Sequence, residues 1–148
     1  MKSIFIALAT SLILYGCTST KEMNMDRHEK IDYVELPAKN MDSTKAFFSD
    51  LFEWSFTSYG PDYMDCHDGG ITIGFFKADL KSTPQSGSAL VTFYSTNLEQ
   101  TLEKVEVAGG TIVKPIISFP GGRRFQFTEP SGNEFAVWSD QNIEEIKH

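Results

Sequence analysis

The run Asp65-Cys66-His67-Asp68 sets four side chains that could ligate a metal or carry a proton in consecutive positions. A bound divalent cation needs three or four nitrogen, oxygen or sulfur donors converging on one point. On a strand, successive side chains point to opposite faces, so only alternate members of the run can meet. It reads best as a hairpin without chemistry of its own. Arg123-Arg124, behind Gly121-Gly122, could bind an anion, or could be a solvated turn with one inward arginine. The chain has 2 cysteines, Cys17 and Cys66, so thiol chemistry is confined to those positions. His28 and His148 stand in the terminal segments and receive no role.

The elements that must position such groups are legible from an internal repeat. Asn40-Met41-Asp42-Ser43-Thr44 recurs as Asn97-Leu98-Glu99-Gln100-Thr101, an offset of 57 residues. At the same offset Val34 falls on Val91, Leu36 on Phe93, Phe48 on Val105 and Phe56 on Val113, apolar on apolar throughout. Self-similarity of this kind marks a duplicated supersecondary unit. Each copy opens with a strand of alternating character, Ile31 to Pro37 and Ala89 to Ser95. A helix follows, with Asn40 or Asn97 as N-cap and apolar residues at helical spacing (Met41, Phe48, Leu51 and Phe52; Leu98, Leu102 and Val105). The second helix stops at Gly109-Gly110. Glu53 stands where the second copy has Gly110, so the same turn would drive Glu53 towards positive φ at a cost of about 1 kcal/mol. Three short strands complete each unit: Trp54 to Tyr59, Tyr63 to His67 and Ile71 to Lys77, then Thr111 to Ile117, Arg123 to Glu129 and Asn133 to Trp138. Turns at Gly60-Pro61, Gly69-Gly70, Gly121-Gly122 and Pro130-Ser131-Gly132 separate them.

Ahead of the repeat, Lys2 precedes an apolar run from Ile4 to Leu14. A bilayer crossing takes about 20 apolar residues, so this run reads as the core of a secretory signal rather than a spanning helix. Leu14-Tyr15-Gly16-Cys17 resembles the bacterial lipobox, with Tyr15 standing where a small residue is usual. The resemblance implies removal of residues 1–16 and lipidation of Cys17. Burial of alkyl chains then anchors the protein, at roughly 0.8 kcal/mol per methylene. Loss of Lys2 takes the formal net charge from −7 to about −8, with no basic patch to neutralise phosphates, which argues against nucleic acid as a partner. Such a surface is repelled by anionic lipid as well, so the acyl chains must do the holding. Cys66 is the thiol left to the exported domain, which must fold without an internal disulfide. Residues 17–30 are polar and aperiodic and read as a tether. Thr18 after the cysteine mildly favours the outer membrane, by resemblance to Gram-negative lipoprotein sorting.

The two β-α-β-β-β modules, together with Phe47-Phe48, Phe52-Glu53-Trp54 and Glu129-Pro130-Ser131-Gly132-Asn133, resemble the vicinal oxygen chelate superfamily. That superfamily includes glyoxalase I, extradiol dioxygenases, fosfomycin-resistance enzymes and bleomycin-binding proteins. The resemblance implies an α+β fold in which two βαβββ modules form a curved, barrel-like sheet with helices outside. It spans residues 31–140, with modules at about 31–77 and 88–138 and a tail at 141–148. Members often pair modules between chains, which makes a homodimer an expected partner arrangement. The fold hosts many activities and does not fix a substrate.

In the enzymes of the superfamily, the resemblance implies a divalent metal held by side chains from the first and last strand of each module. Those positions here are Tyr33, Gly74, Leu90 and Ala136, which offer at best one phenol. No cofactor is expected, and a divalent metal only through non-standard ligands. If the former ligand positions mark the inward face, strand alternation adds Glu35, Thr72, Phe76, Thr92, Tyr94, Arg124, Gln126, Thr128, Glu134 and Trp138 to it, while Phe125 and Phe127 pack under the helices. An aromatic-walled pocket with a few polar groups is the usual form of a small-molecule site. Its ligand contacts would be Tyr33, Glu35, Thr92, Tyr94, Arg124, Gln126, Glu134 and Trp138. Glu35 and Glu134 are the candidate catalytic residues, as a general base or relocated ligands, or else they pair with Arg124 in a buried ion network. Three functions stay open. One is a tethered, metal-free domain binding a small organic molecule. Another is a lyase, isomerase or dioxygenase with ligands such as Glu35, Gln126 and Glu134. The third is a non-catalytic interaction module.

Overall fold

Among the described residues, alternating apolar residues and two capped helices produce eight strands and two helices in the order of the repeat. The computed structural model describes residues 27–141. The signal segment, Cys17, the first part of the tether and residues 142–148 lie outside them. Module one consists of β1 (Tyr33–Ala38), α1 (Met41–Phe52), β2 (Phe56–Ser58), β3 (Tyr63–Cys66) and β4 (Thr72–Lys77). Module two consists of β5 (Val91–Tyr94), α2 (Leu98–Val107), β6 (Thr111–Phe119), β7 (Gly122–Thr128) and β8 (Glu134–Ser139). A single 3-10 turn, Pro84–Ser86, lies in the connection between them. Each module makes one mixed four-stranded sheet, ordered β1-β4-β3-β2 and β5-β8-β7-β6. β1 is parallel to β4 and β5 to β8, while the remaining pairs are antiparallel. The expected βαβββ duplication is therefore present, but as two separate sheets; among the described residues no strand pairing joins them into a closed barrel.

The helix caps follow from the sequence. The Asn40 carboxamide oxygen accepts from the Ser43 N–H at 3.0 Å and that of Asn97 from the Gln100 N–H at 3.1 Å, each satisfying an orphan donor of the first turn. Glu53 ends α1 with φ 60° and ψ 28°, the left-handed conformation expected of it. In α2 that conformation falls one position earlier, on Gly109 at φ 93°. Gly110 is needed for a different reason. A Cβ there would stand 2.7 Å from Val105 Cγ1 and 3.0 Å from the Phe47 ring, so its missing side chain admits module one.

One aromatic core is shared by both modules. Phe48, fully buried, stacks on Trp54 at 4.8 Å between ring centroids. It also meets Phe75 of its own sheet at 5.7 Å and Phe135 of the other at 5.3 Å. Phe47 reaches Phe127 at 5.9 Å. As expected, Phe125 and Phe127 are fully buried on the helix side of β7. Aromatic pairs at such distances add to the free energy of burial.

The Glu129-to-Asn133 turn is the polar joint of the two modules. Glu129 is 2% exposed, and both of its oxygens are used. Oε2 accepts from Thr44 Oγ1 and the Ser131 N–H, both at 2.8 Å, and Oε1 from the Asn133 N–H at 3.1 Å and Nδ2 at 2.8 Å. Asn133 Nδ2 also donates to the Pro37 carbonyl at 2.6 Å, and its Oδ1 accepts from the Ser82 N–H at 2.9 Å. First strand, first helix, connection and last turn thus meet on two side chains. Burial pushes the Glu129 carboxyl above its ordinary range, and the four donors pull against that rise.

Candidate functional site

Each sheet buries one face in this core and turns the other away from the helices. The outward face carries the residues singled out from the sequence, arranged in rows by the strand register. In module one, Tyr33 lies beside Thr72, and Glu35, Gly74 and Asp65 form the central row. In module two, Tyr94, Trp138 and Arg124 form one row, Thr92, Ala136 and Gln126 the next, and Thr128 lies beside Glu134 in the last. Both faces therefore have a small residue at their centre, Gly74 or Ala136. They differ in what surrounds it.

The centre of the first face is filled. A Cβ added at Gly74 would collide with the Tyr63 hydroxyl and come within 3.4 Å of Glu35 Cγ, so the phenol of the neighbouring strand occupies the space a ligand side chain would need. Burial pushes the Tyr63 phenol up to about 12, helped by its hydrogen bond to Glu35 and by the charges of Glu35 and Asp65. The charge of Asp65 also raises the phenol of Tyr59. His67 Nε2 lies 3.7 Å from Asp65 Oδ1, and its Nδ1 is 3.0 Å from Thr72 Oγ1. Cys66 points to the opposite side and is fully buried, where burial pushes its thiol up. Asp68 turns away to accept from the Ser55 N–H at 2.8 Å. The Asp65-to-Asp68 run accordingly brings together alternate members only, as strand geometry requires.

The centre of the second face, at Ala136, is fully buried and has polar groups beside it. Gln126 is 2% exposed and Glu134 6%, yet Gln126 Oε1 and Glu134 Oε1 have no hydrogen-bond partner. Buried polar atoms almost always have one. Along the same face the Tyr94 and Trp138 rings meet edge to face at 5.4 Å, and the Tyr94 hydroxyl donates to Asp140 at 2.8 Å. The Arg124 guanidinium lies over the Phe119 ring, 5.8 Å from its centroid. Arg123 points the other way, 6% exposed, with Nη1 2.5 Å from Glu99 Oε1. This bond holds the Glu99 carboxyl below its ordinary value of 4.5.

Two arrangements differ from expectation. Glu35 and Glu134 form no ion network with Arg124; among the described residues neither carboxylate is paired with it, because the register sets Arg124 beside Trp138 and Glu35 on the other sheet. Likewise, no hydrogen bond, ion pair or ring contact among the described residues links Tyr33 and Glu35 to the second-face set. A cavity of about 300 Å³ touches that set at one edge, between Trp54, Gly69, Thr92 and Tyr94. A groove of about 830 Å³ lies elsewhere, between the helix ends at Phe52, Glu53, Lys104 and Val107. Tyr63 was missed from the sequence. Strand alternation from Asp65 places it on the outward face, but its contact with Gly74 depends on a register that sequence alone does not supply. Glu129 and Asn133 were read as a turn motif, without their role as the joint.

Residues 30–137 match the model of the glyoxalase/bleomycin resistance protein/dioxygenase superfamily, and the chain belongs to that family. Among solved structures it is similar to a glyoxalase-related enzyme from Fulvimarina pelagi, at 14% identity and a TM-score of 0.64 over 75% of this chain and 88% of that one. A glyoxalase/bleomycin resistance protein/dioxygenase family enzyme from Burkholderia phytofirmans PsJN matches at 16% identity and a TM-score of 0.63, over 75% of this chain and 100% of that one. The fosfomycin resistance protein FosX from Listeria monocytogenes matches at 18% and 0.62, over 78% and 95%. At these identities the likeness establishes the fold alone. No curated protein matches the sequence.

The donor set does not fit the divalent metal that this family's enzymes imply. Tyr33, Gly74, Leu90 and Ala136 provide a single phenol between them, and the Tyr63 hydroxyl takes the space beside Gly74. Among the described residues, no group of three or more His, Cys, Asp or Glu side chains could hold a metal ion.

Proposed function

We propose that this protein is a lipid-anchored binding domain that holds a small, partly aromatic organic molecule against the second sheet face, without a metal at the family's positions. The observation that carries the reading is the pair of buried oxygens without partners, Glu134 Oε1 and Gln126 Oε1, on a face walled by Trp138 and Tyr94. Concave apolar surface with few convergent polar groups is how small-molecule sites are usually built. Tyr33 and Tyr94 are 55% and 51% exposed, which suits closure of the site by a second copy that sets its first face over this chain's second. Tyr33, Glu35, Thr92 and Arg124 then complete the contacts. The anchor rests on the residues up to Cys17, and Thr18 favours the outer membrane of a bacterial envelope. Among the described residues no helix is long and apolar enough to cross a membrane, so in this reading the lipid holds the domain.

A thermal-shift screen of the full-length protein tests the binding. A ligand at 100 times its Kd should add about 2.7 kcal/mol of stability, an effect lost in Trp138→Ala. Failure of every small molecule to shift the wild type would overturn the reading. Mass spectrometry of the mature protein tests the anchor separately: a lipid-modified Cys17 is expected, and an unmodified N-terminus would remove the membrane from the proposal.

A further inference from the structure

We infer that the ligand presents a protonated nitrogen, an ammonium or guanidinium group, to Glu134 and Gln126; this rests on the binding reading above. A carboxylate can only accept hydrogen bonds, whereas an amide can donate or accept after a flip, so Glu134 decides the polarity of what it meets. Glu134 is 6% exposed and its Oε1 is unpartnered, so it is a buried acceptor awaiting a donor. Among the described residues none donates a hydrogen bond to it. Thr128 lies beside it in the register. Arg124, four residues back along β7, is engaged over the Phe119 ring. Lys114 is exposed and stands opposite Gln126. Charge-assisted bonds to a carboxylate are the strong ones, so a cationic donor satisfies this position better than a neutral one. Trp138 and Tyr94 offer ring surfaces of the kind that attract cations, and the formal net charge of −7 raises the local concentration of positive solutes.

Three probes of matched shape test this on the full-length protein at neutral pH: phenethylamine, phenethyl alcohol and hydrocinnamate, each titrated by calorimetry. Phenethylamine should bind about tenfold more tightly than the other two, and Glu134→Gln should erase most of that preference. Equal or tighter binding of the alcohol or the anion would overturn the inference while leaving a small-molecule site intact. So would a preference that survives Glu134→Gln. Binding of none of the three would also overturn it, and the wider thermal-shift screen then decides the binding reading on its own. As a check that needs no ligand, Glu134→Leu should raise the Tm of the free protein by a few °C, since it removes an unsatisfied buried group. A fall in Tm would mean that the carboxylate already has a partner in the fold, and would equally overturn the inference.

Discussion

The two sheets are copies of one design with opposite treatments of the same spot. In the first, the central Gly74 is covered by the Tyr63 phenol and flanked in the register by Glu35 and Asp65; the space is filled, and one buried oxygen, Asp65 Oδ1, is left without a hydrogen-bond partner though His67 Nε2 stands 3.7 Å from it. In the second, the central Ala136 is flanked by Thr92 and Gln126, and two buried oxygens are left without partners. Duplication supplied two equivalent faces. One has its centre filled by a phenol and keeps a single unpartnered oxygen beside an imidazole, while the other keeps two with no cationic side chain bonded to them, a cost that binding can offset.

The largest expected effect breaks the comparison by separating the two halves. Asn133→Ala removes the bonds to Pro37 and Ser82 and strips Glu129 of one donor, and should cost about 3 kcal/mol or more in urea unfolding. In the wild type, single-tryptophan variants retaining Trp54 or Trp138 should report coincident transitions, because the aromatic core is common to both modules; resolved transitions would show two independent units.

A second experiment sharpens the description of the closed face. The Tyr63 phenol, raised to about 12, stays protonated in the folded state where the unfolded chain ionises near 10. The folded state therefore binds the extra proton, and stability should fall as pH rises from about 10 to about 12. Glu35→Gln should move the phenol back towards its ordinary value, measured by phenolate absorbance in a background in which the other tyrosines are phenylalanine. An unchanged titration would remove Glu35 from the plug.

Smaller effects compare the helix ends. Glu53 bears the left-handed conformation that Gly109 provides in the second module, so Glu53→Gly should stabilise and Gly109→Ala destabilise, each by about 1 kcal/mol in chemical denaturation. Arg123 gives the second module an ion pair that lowers the Glu99 carboxyl. Its contribution is present above about pH 4.5 and is lost as pH falls through the lowered value. Glu99 is 47% exposed, so solvent screening should hold the loss in Glu99→Gln at neutral pH to under about 1 kcal/mol.

Much of this was legible because it is local. Asn40 and Asn97 as caps, the stop at Gly109, the backbone of Glu53 and the burial of Phe125 and Phe127 follow from periodicity and side-chain chemistry within a few residues. The superfamily was legible in the repeat and in the Glu129-to-Asn133 turn. The site was less so, since strand alternation assigns a face but not a neighbour. The Tyr63-to-Gly74 contact depends on β3-β4 register, and the absence of a Glu134–Arg124 pair on β7-β8 register. The meeting of Thr44, Pro37 and Ser82 on Glu129 and Asn133 depends on packing across separations such as 85 and 96 residues. Whether two sheets close into a barrel is a tertiary outcome of the same kind.

The central claim, that the family's metal positions have been given up while a ligand face remains, is tested most directly by metal analysis of the full-length protein, purified without chelator and compared with Glu35→Ala and Glu134→Ala. The account predicts substoichiometric zinc, nickel, manganese and iron in all three. Stoichiometric metal in the wild type that disappears in either variant would contradict it.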